Sequence, residues 1–333
     1  MLTAKLGIAP LSTEIIEAAF RYSHNNNKEL MLIASKNQLD YVKGYVNGWT
    51  TKDFRKFVGE VKKRYANSNV RLCRDHCGPG FNGRVDLEDT YRTIEEDITN
   101  GFDLIHIDFC HFKENAQEKL AAAKKAVEYC LRLNPNIRLE VGSDGNSDTR
   151  CLPDRIEGIK EEIDFFQGFC VPEFYVVPTG SLVRAGRQAG SFNKGIVDKI
   201  ARLIHSKGIK SKEHNADYLS KDEIFQRKGA IEAMNIAPQL GSVQTQLVID
   251  KSKRYGVDCN DFLNIVYKNK KWTKWIDKHS SIDKTLALRT AGHYHYTSDE
   301  YKKIIRQLNT YENIYESIID SITGVIDHYE SCR

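Results

Sequence analysis

The chain has 333 residues, 41% of them apolar, with 49 basic against 45 acidic side chains for a formal net charge of +4. That apolar share fills a sizeable core, which excludes a disordered chain, and so small a positive excess makes no case for nucleic acid as partner. No apolar run approaches the ~20 residues of a membrane-spanning helix, and the start, MLTAKLGIAPLSTE, lacks the segments of a secretion signal, so a cytoplasmic protein with no membrane partner is expected.

Short apolar strands alternate with amphipathic helices along most of the chain, the rhythm of parallel βα units. Lys5 to Ile8 reads as a first strand, feeding a helix from Thr13 to Ser23 with Ser12 or Thr13 as N-cap. Leu30 to Ala34 is a second strand, followed by a glycine-punctuated loop and a helix from Lys52 to Tyr65 with Phe54, Phe57, Val58 and Val61 at helical spacing. The third strand, Val70 to Arg74, runs into Asp75, His76 and a Gly-Pro-Gly turn. A helix from Leu87 to Ile98, a fourth strand from Leu104 to Asp108, a helix from Ala116 to Leu133 closed by Pro135, and a fifth strand from Ile137 to Val141 follow.

The pattern continues with a helix near Arg155 to Phe166 and a sixth strand, Phe174 to Val177. Next come a loop holding Arg184 and Arg187, a helix from Asn193 to Ser206, and a seventh strand, Ile209 to Glu213, ending at His214. A short helix at Lys221 to Arg227, an eighth strand from Ala233 to Ile236 and a helix from Gly241 to Tyr255 complete the series. Eight such units predict an α/β protein of (β/α)8 TIM-barrel class over residues 1–256. An open doubly wound sheet would need a glycine-rich phosphate turn after an early strand, which is missing. Residues 257–333 read as a C-terminal helical extension packed on the barrel.

Eight cysteines are scattered, and Cys73 and Cys77 have no second close pair, so reduced buried thiols are expected rather than a zinc knuckle. The basic run Lys268 to Lys274 reads as a solvated helix face.

In such a barrel chemistry belongs to the carboxyl ends of the strands. The residues there are Asn37 and Gln38, Asp75 and His76, Asp108, Glu140 with Asp144, Thr179, His214 with Asp217, and Asn235 with Gln239. Any one of them could be a helix cap or loop hydrogen bonder; their convergence on one rim points to a site. His76 and His214 with Glu140 or Asp144 make a three-ligand set for a catalytic divalent metal such as zinc, with Asp75 as the proton carrier and Glu140 the second acid/base carboxylate. Asn37, Gln38, Asp108, Thr179 and Asn235 are the candidate substrate binders. His106 and His111 read as packed or surface histidines. Gly292 to Tyr296, GHYHY, reads as a structural or pocket-lining feature, because its alternate histidines share a face only in a strand. Arg184 and Arg187 could grip a phosphate or carboxylate end group bidentately, or be surface arginines.

The blocks IASKNQLDYVKGYVNGWTTKDFRKFV, RDHCGPG, GFDLIHIDFC, KEHNADY and MNIAPQLGSVQTQL resemble the Z-type subunit of class II tagatose-bisphosphate aldolase, the GatZ/KbaZ family, from about residue 5 to 250. That resemblance implies a (β/α)8 barrel related to the class II aldolases, with Asp75 as proton donor, His76 and His214 as zinc ligands and Asn235 on the ketose. The aldolases' histidine after the sixth strand is absent from Val177, Pro178, Thr179 and Gly180. Their glycine-serine phosphate grip after the seventh strand is replaced by Asn215, Ala216 and Asp217. Ile33 also stands where the Z-type pattern has an acidic residue. The implied function is metal-dependent aldol cleavage, or C4-epimerisation, of a ketose or ketose phosphate. The alternative is a non-catalytic stabilising partner of a catalytic aldolase subunit. Expected partners are thus a sugar or sugar phosphate, an aldolase chain in that alternative, and further copies of this chain.

Overall fold

The computed structural model describes residues 2–143, 152–276 and 283–332, the side chains of 152–155 aside. Its strands, in chain order, are β1 (Leu6–Ile8), β2 (Glu29–Ser35), β3 (Asn69–Cys77), β4 (Leu104–Ile107), β5 (Arg138–Val141) and β6 (Phe174–Val176). A two-stranded hairpin follows, β7 (Val183–Arg184) with β8 (Arg187–Gln188), and then β9 (Lys210–Glu213) and β10 (Ala233–Ile236). All except the hairpin pair in parallel into a closed barrel in the order β1-β10-β9-β6-β5-β4-β3-β2, so β9 and β10 are the expected seventh and eighth strands. The expected barrel is therefore present.

The surrounding helices are α1 (Thr13–Asn26), α2 (Thr51–Arg64), α3 (Leu87–Thr99), α4 (Ala116–Leu133), α5 (Leu152–Gln167), α6 (Lys194–Ser206), α7 (Lys221–Gln226) and α8 (Pro238–Tyr255). Their starts are set by local chemistry. Ser12 caps α1, Thr50 with Asp53 and Asn115 with Glu118 form reciprocal capping boxes on α2 and α4, and Pro238 occupies the first turn of α8, where its missing N–H costs nothing.

Beyond Gly256 lie α9 (Asn260–Asn269), α10 (Lys284–Ala291), α11 (Asp299–Leu308) and α12 (Ile314–Glu330), with short 3-10 turns at Lys271–Lys274 and Gly292–His295. Of the GHYHY run, Gly292–His295 is thus a 3-10 turn, with His293 buried. The last helix returns to the barrel's outer wall. Its Ile318, Ile322 and Ile326 are buried, Tyr22 on α1 donates to Asp327 at 3.1 Å, and the Tyr329 hydroxyl donates to the Ala216 carbonyl at 2.7 Å.

On a barrel strand alternate side chains face inward and outward, and β3 departs from that alternation. Arg74 points out beneath the helices, fully buried, with Nε 2.6 Å from Asp97 on α3 and Nη1 bonded to the carbonyls of Ala34 and Leu39. Between Arg74 and Cys77 the register to β4 shifts and His76 takes φ +50°. This bulge turns both Asp75 and His76 into the barrel mouth, where strict alternation would admit one of them. The strand runs three residues further than the apolar pattern suggested, so the Asp-His pair is part of it.

Candidate active site

Four side chains from three strands meet at the carboxyl-end mouth of the barrel. Ligand-capable atoms of Asp75, His76, His106 and His214 all lie within 4.8 Å of one another. Asp75 and His76 come from the bulge of β3, His106 points inward from β4, and His214 immediately follows β9. His76 Nε2 is 3.8 Å from Asp75 Oδ2, while His106 Nδ1 and His214 Nε2 are each 3.9 Å from Asp75 Oδ1.

The imidazoles are held by their other contacts. His76 Nδ1 lies 2.7 Å from Asp108 Oδ2, so with the proton there its Nε2 turns a lone pair to the centre. His106 Nε2 lies 2.8 Å from the Gly142 carbonyl, which must accept, so Nδ1 carries the lone pair and receives a long 3.3 Å bond from the His76 N–H. His214 Nε2 is 2.7 Å from Glu140 Oε1, and its Nδ1 is buried with no partner. Glu140 also accepts from Lys212 Nζ at 2.6 Å, an ion pair almost wholly out of solvent.

Charge follows from this arrangement. Burial alone would raise the carboxyl of Asp75, yet the imidazoles of His76, His214 and His106 outweigh it and hold the group below the usual carboxylate range. For Glu140, burial is again overcome, chiefly by Lys212 and His106, and the group is held far down as a carboxylate. Asp108 is likewise held down against its burial by His76. Burial pushes His106 the other way, towards the neutral form that ligates metals.

The donor set therefore fits a divalent cation. Zinc at ~2.1 Å from nitrogen spaces tetrahedral ligands ~3.4 Å apart, so the 3.8–3.9 Å separations from Asp75 need a contraction of about half an ångström, and the widest in the cluster, up to 4.8 Å, need more. His76, His106 and His214 would hold the ion, with Asp75 beside it. Asp144, the other expected ligand, lies outside the described residues.

The remaining predicted residues are distributed more widely. Asn235 Nδ2 reaches Asp75 Oδ1 at 3.4 Å, and its buried Oδ1 has no partner. Asn37 donates to the carbonyl of Phe81, whose ring stacks on His76 at 4.9 Å. Gln38 turns back to accept from the Ser35 N–H at 2.9 Å and is buried in its own loop. Thr179 donates to Glu213 at 2.7 Å, in a buried network with Ser181 and Arg227 outside the barrel mouth. Arg184 and Arg187 sit on the hairpin, half-buried and exposed respectively.

Two members were missed by the sequence reading. His106 was expected to be packed or at the surface; it is buried, but in the centre of the cluster, whereas His111 is exposed. Lys212 went unremarked inside a strand. Alternation with Ile105 and Ile107 was the available signal for His106, whereas the uniformly polar KSKE of β9 gave none for Lys212.

Fold and cluster together define a class: an α/β barrel with a metal-competent imidazole and carboxylate group at its carboxyl-end mouth. Residues 6–133 match the family described as D-tagatose-1,6-bisphosphate aldolase subunit GatZ/KbaZ-like. The resemblance read in the sequence holds over those residues. It is 32% identical over 100 residues, 28% of its length, to the D-tagatose-1,6-bisphosphate aldolase subunit GatZ of Escherichia coli strain K12; that match spans about a quarter of the relative, 24%. Among solved structures, a probable tagatose 6 phosphate kinase from Sinorhizobium meliloti 1021 is similar with TM-score 0.79 and 15% identity, covering 99% of this chain and 100% of that one. The fructose-bisphosphate aldolase Fba of Campylobacter jejuni is similar with TM-score 0.63 and 15% identity, covering 98% and 90%. At these identities the structural likeness is one of fold. No helix among the described residues is long and apolar enough to cross a membrane.

Proposed function

We propose that this chain performs metal-dependent aldol and retro-aldol chemistry on a ketose or ketose phosphate, cleaving the C3–C4 bond or, where the fragments recombine after rotation, inverting C4. The observation that carries this reading is the meeting of three imidazoles and one carboxylate within 4.8 Å, with the outer nitrogens of His76 and His106 already bonded to Asp108 and Gly142. A divalent ion there, with zinc favoured by the donors, would polarise the ketose carbonyl and stabilise the negative charge that develops as the bond breaks.

The chain's own groups do the rest. Asp75 is the one carboxylate of the cluster open towards the mouth, its side chain 16% exposed against 1% for Glu140. It is ionised and takes the proton of the C4 hydroxyl as the C3–C4 electron pair passes to C3 and C4 becomes an aldehyde; in the reverse direction it returns that proton. Asn235 fixes Asp75 and offers its free Oδ1 to a sugar hydroxyl. Glu140, tied to Lys212, and Asp108 act as positioning residues for His214 and His76. Asn37 lies with Phe81 at the lip, placed to meet the substrate.

The test is NMR of ketoses and ketose phosphates incubated with the protein and added zinc, manganese or nickel. Asp75→Asn should lower kcat by at least ~100-fold, the lower range for a general acid/base. That the Escherichia coli relative is a subunit of an aldolase favours a second reading, a stabilising partner of a separate aldolase chain. That reading would be adopted if no substrate showed either cleavage or exchange at C4.

A further inference from the structure

The C-terminal segment brings a second polar cluster to the carboxyl-end face, and it is made of cations. The turn Lys271–Lys274 adjoins the hairpin β7–β8 through the Ala185 N–H, which donates to the Trp275 carbonyl at 2.7 Å. The hairpin's tight turn has Ala185 at φ +49° and Gly186 at +71°, and the missing side chain of Gly186 leaves room for the Arg289 guanidinium, whose Nη2 would lie 3.3 Å from a Cβ there. Lys271 Nζ sits 4.7 Å from the ring centre of Tyr294. Beneath them His293 is 3% exposed, and its Nδ1 has no partner.

None of Arg184, Lys271, Lys274 and Arg289 has a carboxylate within 4.0 Å among the described residues, and Arg289 Nε is buried without a partner. Elsewhere this chain places acids against its buried cations: Asp97 on Arg74, Glu213 on Arg227, Asp89 on Lys36. Burial first, then Lys274 and Lys271, drives His293 down to about 3, and Arg184 acts on Lys274 as a like charge. Among the described residues, Asp217 acts on Tyr218 and Glu300 on His295, and neither pairs with these cations. Arg184 Nη1 donates to the Val183 carbonyl at 3.1 Å, but a group of like charges with the Arg289 Nε unfilled calls for an anion from outside the chain.

We infer that Arg184, Lys274 and Arg289, with Lys271 at the edge, form the site that grips the phosphate monoester of the substrate. This rests on the proposed ketose chemistry for the identity of the ligand, though anion binding itself does not.

The experiment is titration of the full chain with inorganic phosphate, followed by isothermal calorimetry, then displacement by a ketohexose phosphate or by the parent ketohexose. Phosphate should bind the wild type, and Lys274→Gln and Arg289→Gln should each weaken it at least tenfold. Arg202→Gln, an exposed charge on α6, should leave it unchanged, and only the phosphorylated sugar should displace it. Lys274 is exposed, so its variant decides the matter even if Arg289→Gln fails to fold. No binding by the wild type, equal loss in Arg202→Gln, unaltered affinity in Lys274→Gln, or no displacement by the sugar phosphate would each overturn the inference. Because the assay needs neither metal nor turnover, His76→Ala should keep phosphate affinity even if the aldol reading fails.

Discussion

Single atoms decide much of this site. Gly7 on β1 faces Asn235, and a Cβ there would come within 2.2 Å of its Oδ1 and 2.9 Å of Ile33. Gly7→Ala should therefore push Asn235 off Asp75 and lower kcat while leaving a folded protein, checked by circular dichroism beside the NMR assay; an unchanged kcat would remove Asn235 from the account. Asp217 makes a different prediction. Its Oδ1 accepts from the N–H groups of Ala237 and Gln239 at 2.9 and 2.8 Å, its Oδ2 is buried without a partner, and burial pushes its pKa up to about 7. The folded state then binds this proton more tightly than the unfolded chain, whose carboxyl titrates near 4, so stability falls as pH rises from about 4 to 7. Urea midpoints measured at pH 5 and 7 should show that decline, and Asp217→Asn should flatten it. At this scale Asp75 and His76 were legible because polar residues abruptly end an apolar strand, and His214 because it directly follows a strand of the βα rhythm. His106 was not, since a lone histidine among isoleucines reads equally as packing.

At the scale of elements, β3 is the strand on which the site turns. Its outward Arg74 ties the strand to α3 and to the backbone of the loop after β2, so removing the guanidinium strands Asp97 in the interior. Arg74→Met should destabilise the fold by about 3–5 kcal/mol in urea denaturation, and Arg74→Met with Asp97→Leu should recover much of that. Full stability in the single variant would contradict the pairing. Just after the bulge, Gly78 passes so close to the Asp108 carbonyl that no side chain fits between them. The strands and long helices were readable from periodicity. The bulge and the hairpin β7–β8 were not, because one shifted residue or a strand of two residues leaves no periodic trace.

For the whole molecule, the helices after Gly256 are part of the structure's closure. α12 seals α1 and α8 with buried isoleucines, and Tyr329 reaches the loop that carries His214. A chain cut after residue 256 should lose its cooperative thermal transition in circular dichroism; a truncated protein melting like the full one would refute this. The barrel itself was legible from eight βα repeats, whereas the docking of these helices depends on long-range contacts that no local pattern encodes. All of these arguments converge on the imidazole cluster. The most direct test is the metal content, by plasma mass spectrometry, of wild type and His106→Ala after chelation and reloading with zinc. The account predicts one tightly held ion per chain in the wild type and a loss of at least tenfold in affinity in the variant. A wild type that retains no ion, or a variant that retains it equally well, would contradict it.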